Sequence, residues 1–94
     1  MGSSSMALGI LEVRGITASV ESADAMVKAA AVEVIGTQKI GNALIFIAIR
    51  GSVDAVYAAI ESGKATAKEL GEVYAYTVLA NPCEETIAII DKIS

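Results

Sequence analysis

The chain has 94 residues, enough for one small domain and not two. Eleven acidic residues against seven lysines and arginines leave a formal charge of −4, and the basic residues are scattered, so no stripe exists to track a phosphate backbone. There is no histidine and only one cysteine, Cys83, which excludes imidazole-based triads and metal sites, an intrachain disulfide and any CxxC knuckle.

Met1-Gly2-Ser3-Ser4-Ser5 reads as a leader added for expression, with Met6 as the natural start and residues 6–94 as one domain. No signal segment follows it, and no apolar run reaches the roughly 20 residues of a membrane helix. The expected compartment is the cytosol, with neither membrane nor nucleic acid as a partner. Ala7 to Arg14 reads as a strand, and Gly15 to Ala18 as the turn out of it. Ser19 is the expected cap of a first helix. From Ile16 its apolar residues fall at Val20, Ala23, Val27 and Ala30, whose spacing of three and four follows one helical face. The helix is expected to end near Ala31. Val32 to Ile40 is a second strand, rich in β-branched residues. Gly41-Asn42 suits a tight hairpin, because both residues tolerate positive φ.

Leu44 to Ile49 is a third strand, apolar on both faces. Ser52 can cap a second helix, with Val53, Val56, Ile60, Gly63, Ala67 and Leu70 inward and Gly71 at its end. Val73 to Leu79 is a fourth strand, with Tyr74 and Tyr76 on one side. Asn81-Pro82 breaks it, and Glu84 to Ile90 is expected as a short final helix. The stretches LEVRGITASVESADAM and IAIRGSVDAVYAAIES repeat one pattern of strand, Arg-Gly, turn and helix. The fold class that follows is α/β (α+β). It is a ferredoxin-like βαβ-βαβ variant, a four-stranded sheet containing antiparallel pairs, with both helices on one face.

The composition is 54% apolar and 19% charged, against about 45–50% and 25% in ordinary domains. A domain this small cannot hide so much apolar surface alone. Seventeen alanines account for part of the excess. The rest, and a sheet whose second face has little chain left to cover it, point to burial against other copies.

Chemistry-bearing groups are sparse. Glu84-Glu85 fits the acidic preference of a first helical turn. Cys83 has no basic neighbour to lower its pKa and reads as a plain surface or interface thiol. Asp24 and Lys28, four apart on a helix, read as an exposed ion pair or an interface contact. The Gly41 turn lacks the GxxxxGK of a phosphate loop and opens a strand rather than a helix. No catalytic residue, metal site or cofactor is expected.

Several stretches in order resemble one family. Ala7-Leu8-Gly9-Ile10-Leu11-Glu12-Val13-Arg14-Gly15 is similar to the opening strand of bacterial microcompartment shell proteins of the single-domain, BMC type. Ala23-Asp24-Ala25-Met26-Val27-Lys28-Ala29-Ala30 resembles their first helix. Lys39-Ile40-Gly41, then Arg50-Gly51-Ser52-Val53-Asp54-Ala55-Val56, then Gly71-Glu72-Val73 continue the match over nearly all of Ala7 to Ile90. The resemblance implies a non-enzymatic subunit that forms cyclic hexamers. These tile with themselves and with other shell proteins into facets enclosing enzymes. It implies Gly41, Asn42 and Ala43 at a six-fold pore for small polar metabolites, with Lys39 and Ile40 beside it. It places Lys28, Asn81 and Pro82 at the hexamer–hexamer edge. Many relatives carry Ser-Gly where this chain has Asn42-Ala43, so the pore's size and polarity are not carried over. Many also carry Arg-Pro-His where this chain has Asn81-Pro82-Cys83. Asparagine cannot replace arginine's several donors, so altered tiling is expected.

Two other readings stay open. One is a ferredoxin-like oligomer that senses a small metabolite, although the long exposed loop or basic phosphate site of a nucleotide sensor is missing. The other is a small enzyme of the same fold. It needs a convergent catalytic pair, for which Arg14 and Arg50 lack an evident partner.

Overall fold

A computed structural model describes residues 6–70 and 72–80, the backbone alone at 72–74. The expected final helix, Cys83, Asn81-Pro82 and the side chain of Tyr74 lie outside the described residues. The elements run β1 (Met6–Arg14), α1 (Ile16–Ala29), β2 (Val32–Ile40), β3 (Leu44–Ser52), α2 (Val53–Leu70) and β4 (Glu72–Ala80). The sheet order is β2-β3-β1-β4, and every neighbouring pair is antiparallel. This is the ferredoxin-like arrangement expected from the doubled βαβ pattern.

Register decides which residues share a face. Thr37 pairs with Ile47, Ile47 with Leu11, and Leu11 with Tyr76, so these four form one row across the sheet. Cross-strand partners point to the same side, and here that side carries the helices. The core between sheet and helices is built from Leu11, Val13, Met26, Ile47, Ile49, Val56 and Ile60. Each large side chain buried there contributes roughly 1.5–3 kcal/mol relative to exposure. Gly63 brings α2 close, because a Cβ at that position would stand 2.7 Å from Met26 Cγ. On the opposite face Leu8 and Ala48 are buried, with Ile10, Ile35 and Leu79 packed on them. The third strand is therefore apolar on both faces for two separate clusters.

α2 forms where its pattern placed it. The Ala55 N–H donates to Ser52 Oγ at 3.2 Å, so Ser52 acts as the expected cap. Val56, Ile60, Gly63 and Ala67 are buried, but Leu70 at the helix end is 50% exposed. α1 departs further from expectation. It starts at Ile16, with Gly15 in the cap position at φ 104°, and the Gly15 carbonyl accepts from the Ser19 N–H. Ser19 is not a cap. It lies within the first turns and donates from Oγ to the Ile16 carbonyl at 2.8 Å. The buried face is Ala18, Ser19, Ser22 and Met26. Along the apolar stripe Ala23 and Ala30 pack against the core, while Ile16, Val20 and Val27 are 62%, 61% and 43% exposed. The physical reason is the helix contact: Met26 of α1 packs against Gly63 of α2, and Ser62 Oγ donates to the Ala25 carbonyl at 3.5 Å, so that side of α1 turns inward and the bulkier residues turn outward.

Candidate pore turn, edge and lateral groove

The β2–β3 hairpin ends in a three-residue turn, Gly41 to Ala43, closed by the Ile40–Leu44 pair. Gly41 takes φ 66°, the left-handed region that glycine enters without strain. Gly41 and Asn42 are exposed and Ala43 is half-buried. The Gly15 N–H donates to the Ala43 carbonyl at 2.8 Å, which ties the turn to the start of α1. Lys39 and Ile40 are exposed just before the turn. This end of the subunit therefore presents a braced turn that exposes the Asn42 amide.

Lys28 sits in the last turn of α1. Twelve residues separate it from Ile16, which at 1.5 Å per residue is about 18 Å along the helix axis. It is thus remote from the hairpin end. Its Nζ lies 2.9 Å from Asp24 Oδ2 across one helical turn, and both side chains are open to water. The hydrogen bond to Asp24, reinforced by that carboxylate's charge, holds the Lys28 pKa above the ordinary lysine value. Of the residues expected to act, the structure gathers 39–43 at one end and places Lys28 at the other.

Two features were not singled out from sequence. Arg50 does have a partner, Glu33 Oε1 at 3.0 Å. The two residues are opposite each other in the β2–β3 register, and the pair is an exposed tie between strands rather than a catalytic couple. Arg14 is engaged as well. The second feature is a groove of about 400 Å³ between α1 and β2. Ile16, Val20 and Ala23 form one wall, Thr37 and Lys39 the other, and Ile47 lies at its floor. The signal for it was the apolar α1 stripe, three of whose residues line it. Among the described residues no cluster of acidic or sulfur ligands could hold a metal. No described helix is long and apolar enough to cross a membrane.

The BMC domain family matches residues 7–82. The chain belongs to the BMC-domain family. It is 45% identical over 86 residues to the bacterial microcompartment shell protein PduA of Citrobacter freundii, covering 92% of each chain. It is 43% identical over 76 residues to the shell protein EutM of Escherichia coli K12, covering 81% of this chain and 78% of that one. It is 43% identical over 81 residues to the carboxysome shell protein CcmK2 of Thermosynechococcus vestitus, covering 84% of this chain and 79% of that one. A crystal structure of a microcompartments protein from Desulfitobacterium hafniense superposes with a TM-score of 0.83 at 28% identity. That match covers 95% of this chain, which spans 48% of the other. BMC-domain membership makes the chain a structural shell protein of a cytoplasmic bacterial microcompartment, not an enzyme.

Proposed function

We propose that this BMC-domain chain closes into a six-membered ring whose centre is lined by Gly41, Asn42 and Ala43, with Lys39 and Ile40 beside them. Small polar metabolites cross the shell there. The observation that carries the reading is the braced turn at the end of the subunit remote from Lys28. In a ring with the turns innermost, Lys28 falls near the rim, where Lys28, Asn81 and Pro82 meet neighbouring rings or other shell proteins. The interior then holds the enclosed enzymes. Six Asn42 amides and the turn's N–H groups would offer hydrogen bonds to polar or anionic solutes and leave large apolar ones excluded. The arginine common near that edge in relatives is absent here, and tiling is accordingly weaker or altered.

Light scattering with negative-stain imaging of the same peak tests the ring. The expected mass is six times the chain mass of 9.6 kDa, with a central hole. A particle of three chains without a hole would return the turn to an ordinary hairpin. For the pore itself, Asn42→Asp places a ring of carboxylates at the centre, so flux of an anionic solute through assembled shells should fall at low salt and recover as salt screens the charge. Unchanged flux would remove Asn42 from the route.

A further inference from the structure

We infer that Gly15 is a positioning residue of the pore: its N–H turns the Ala43 carbonyl sideways into its own subunit, which keeps that acceptor out of the ring centre and favours anionic over cationic solutes there. The inference rests on the ring reading and adds what sets the polarity of its centre. Along the β1–β3 ladder Val13 pairs with Ile45 and Arg14 with Leu44. The Gly15 N–H reaches the Ala43 carbonyl at 2.8 Å, one rung past the end of the strand. The turn is thereby hung from β1, which lies between β3 and β4, and not only from β2. β2 is an edge strand, exposed or half-buried along its whole length and bulged between Val34 and Gly36. It is a poor anchor for a turn that must present the same backbone groups in every copy.

Gly15 is held on both sides. Its carbonyl accepts from the Ser19 N–H at 3.1 Å, so the residue joins the turn to the start of α1. Its φ of 104° and ψ of 137° lie in a region that residues with a Cβ rarely enter. A Cβ built at Gly15 meets no atom within 4 Å. Glycine is therefore required by the backbone bend and not by packing. Without that bend the N–H no longer aims at the turn, and the Ala43 carbonyl must find another donor or water. In the ring, the open side of the turn is the centre. A carbonyl released toward it brings partial negative charge to the place where the turn's N–H groups and the Asn42 amide meet the solute.

The test uses the full chain with Cys83→Ser and Asn42→Cys, which leaves one thiol at the turn. Hydrogen exchange followed by NMR reads the brace directly: the Gly15 amide should exchange at least about tenfold more slowly than an unprotected glycine amide. Anionic and cationic methanethiosulfonate reagents then report the field at position 42. Adding Gly15→Ala should lower the ratio of anionic to cationic labelling rates by about threefold, the size expected for exposed backbone dipoles acting on an ion. Light scattering verifies that the ring mass is kept. Replacing the Arg14–Gly15 amide by an ester, made by chemical synthesis, deletes the same N–H without adding a Cβ and should give the same drop. A ring whose ratio is unchanged by either replacement overturns the inference alone, and so does a Gly15 amide that exchanges as fast as an unprotected one. A wild-type chain that runs at the single-chain mass of 9.6 kDa overturns the ring reading and the inference with it.

Discussion

Replacing Gly63 with alanine sets helix propensity against packing at a single atom. Alanine in mid-helix is favoured over glycine by about 1 kcal/mol. The added Cβ would stand 2.7 Å from Met26 Cγ, 2.9 Å from its Sδ and 3.0 Å from Leu11 Cδ2. Met26 and Leu11 are both fully buried. The closest atom is near the base of the methionine, not its mobile tip, so relief requires a new rotamer in a filled core. Overpacking of this kind costs about 1–3 kcal/mol. The expected net change is a loss of about 1 kcal/mol, the packing cost less the propensity gain. Met26→Ala removes both close atoms and should by itself cost about 2–5 kcal/mol. In that background Gly63→Ala should stabilise by about 1 kcal/mol, giving a coupling of about 2 kcal/mol between the sites. Urea titrations of the four proteins measure the cycle. They must share one protein concentration, because self-association raises apparent stability. If Gly63→Ala stabilises the wild-type background, the close approach of α2 to Met26 is not what requires glycine here.

Ser22 Oγ is buried without a hydrogen-bond partner. Ser22→Ala removes an unpaired hydroxyl and improves helix propensity, so a gain of about 1 kcal/mol in the same urea assay is expected. Lys28 titrates above the ordinary lysine value because of Asp24. A raised lysine pKa contributes stability that is fully present below the ordinary value of 10.5 and is lost as pH rises through the higher folded value. The stability difference between wild type and Asp24→Asn should therefore be flat from neutral pH to that point and shrink above it. A difference that disappeared on acidifying from neutral to mildly acidic pH would contradict the assignment.

The strand order, the second helix and the hairpin were legible because their signals are local. Ser52 precedes an apolar face at helical spacing, and Gly41 stands between two apolar strands. α1 was legible as a helix but not in its rotation. Periodicity reports that Ile16, Val20 and Val27 share a stripe. It does not report whether that stripe is buried by the same chain or by another. The small residues Ala18, Ser19 and Ser22 carry no strong hydrophobic signal, yet they are buried on the inner side of α1 together with Met26. Ser19 looked like a cap because serine favours that position, while Gly15, one residue before the helix, takes the role by backbone conformation. The Glu33–Arg50 tie depends on register across a bulge between Val34 and Gly36, and no fixed sequence spacing encodes it. The groove combines both difficulties, since one wall is the α1 stripe and the other is set by β2 register.

β1 is the first strand to be synthesised, yet it lies inside the sheet and pairs with β3 and β4. Its contacts with β4 join Ala7 to Ala80, nearly the full length of the domain. Pairings so distant along the chain carry a large loop-closure cost and form late. A growing chain on the ribosome can make the β2–β3 hairpin early, but it cannot seat β1 against β4 until Ala80 has left the exit tunnel. The side of the sheet that β4 contributes is consequently the last part of the domain to be completed, after the β2–β3 hairpin.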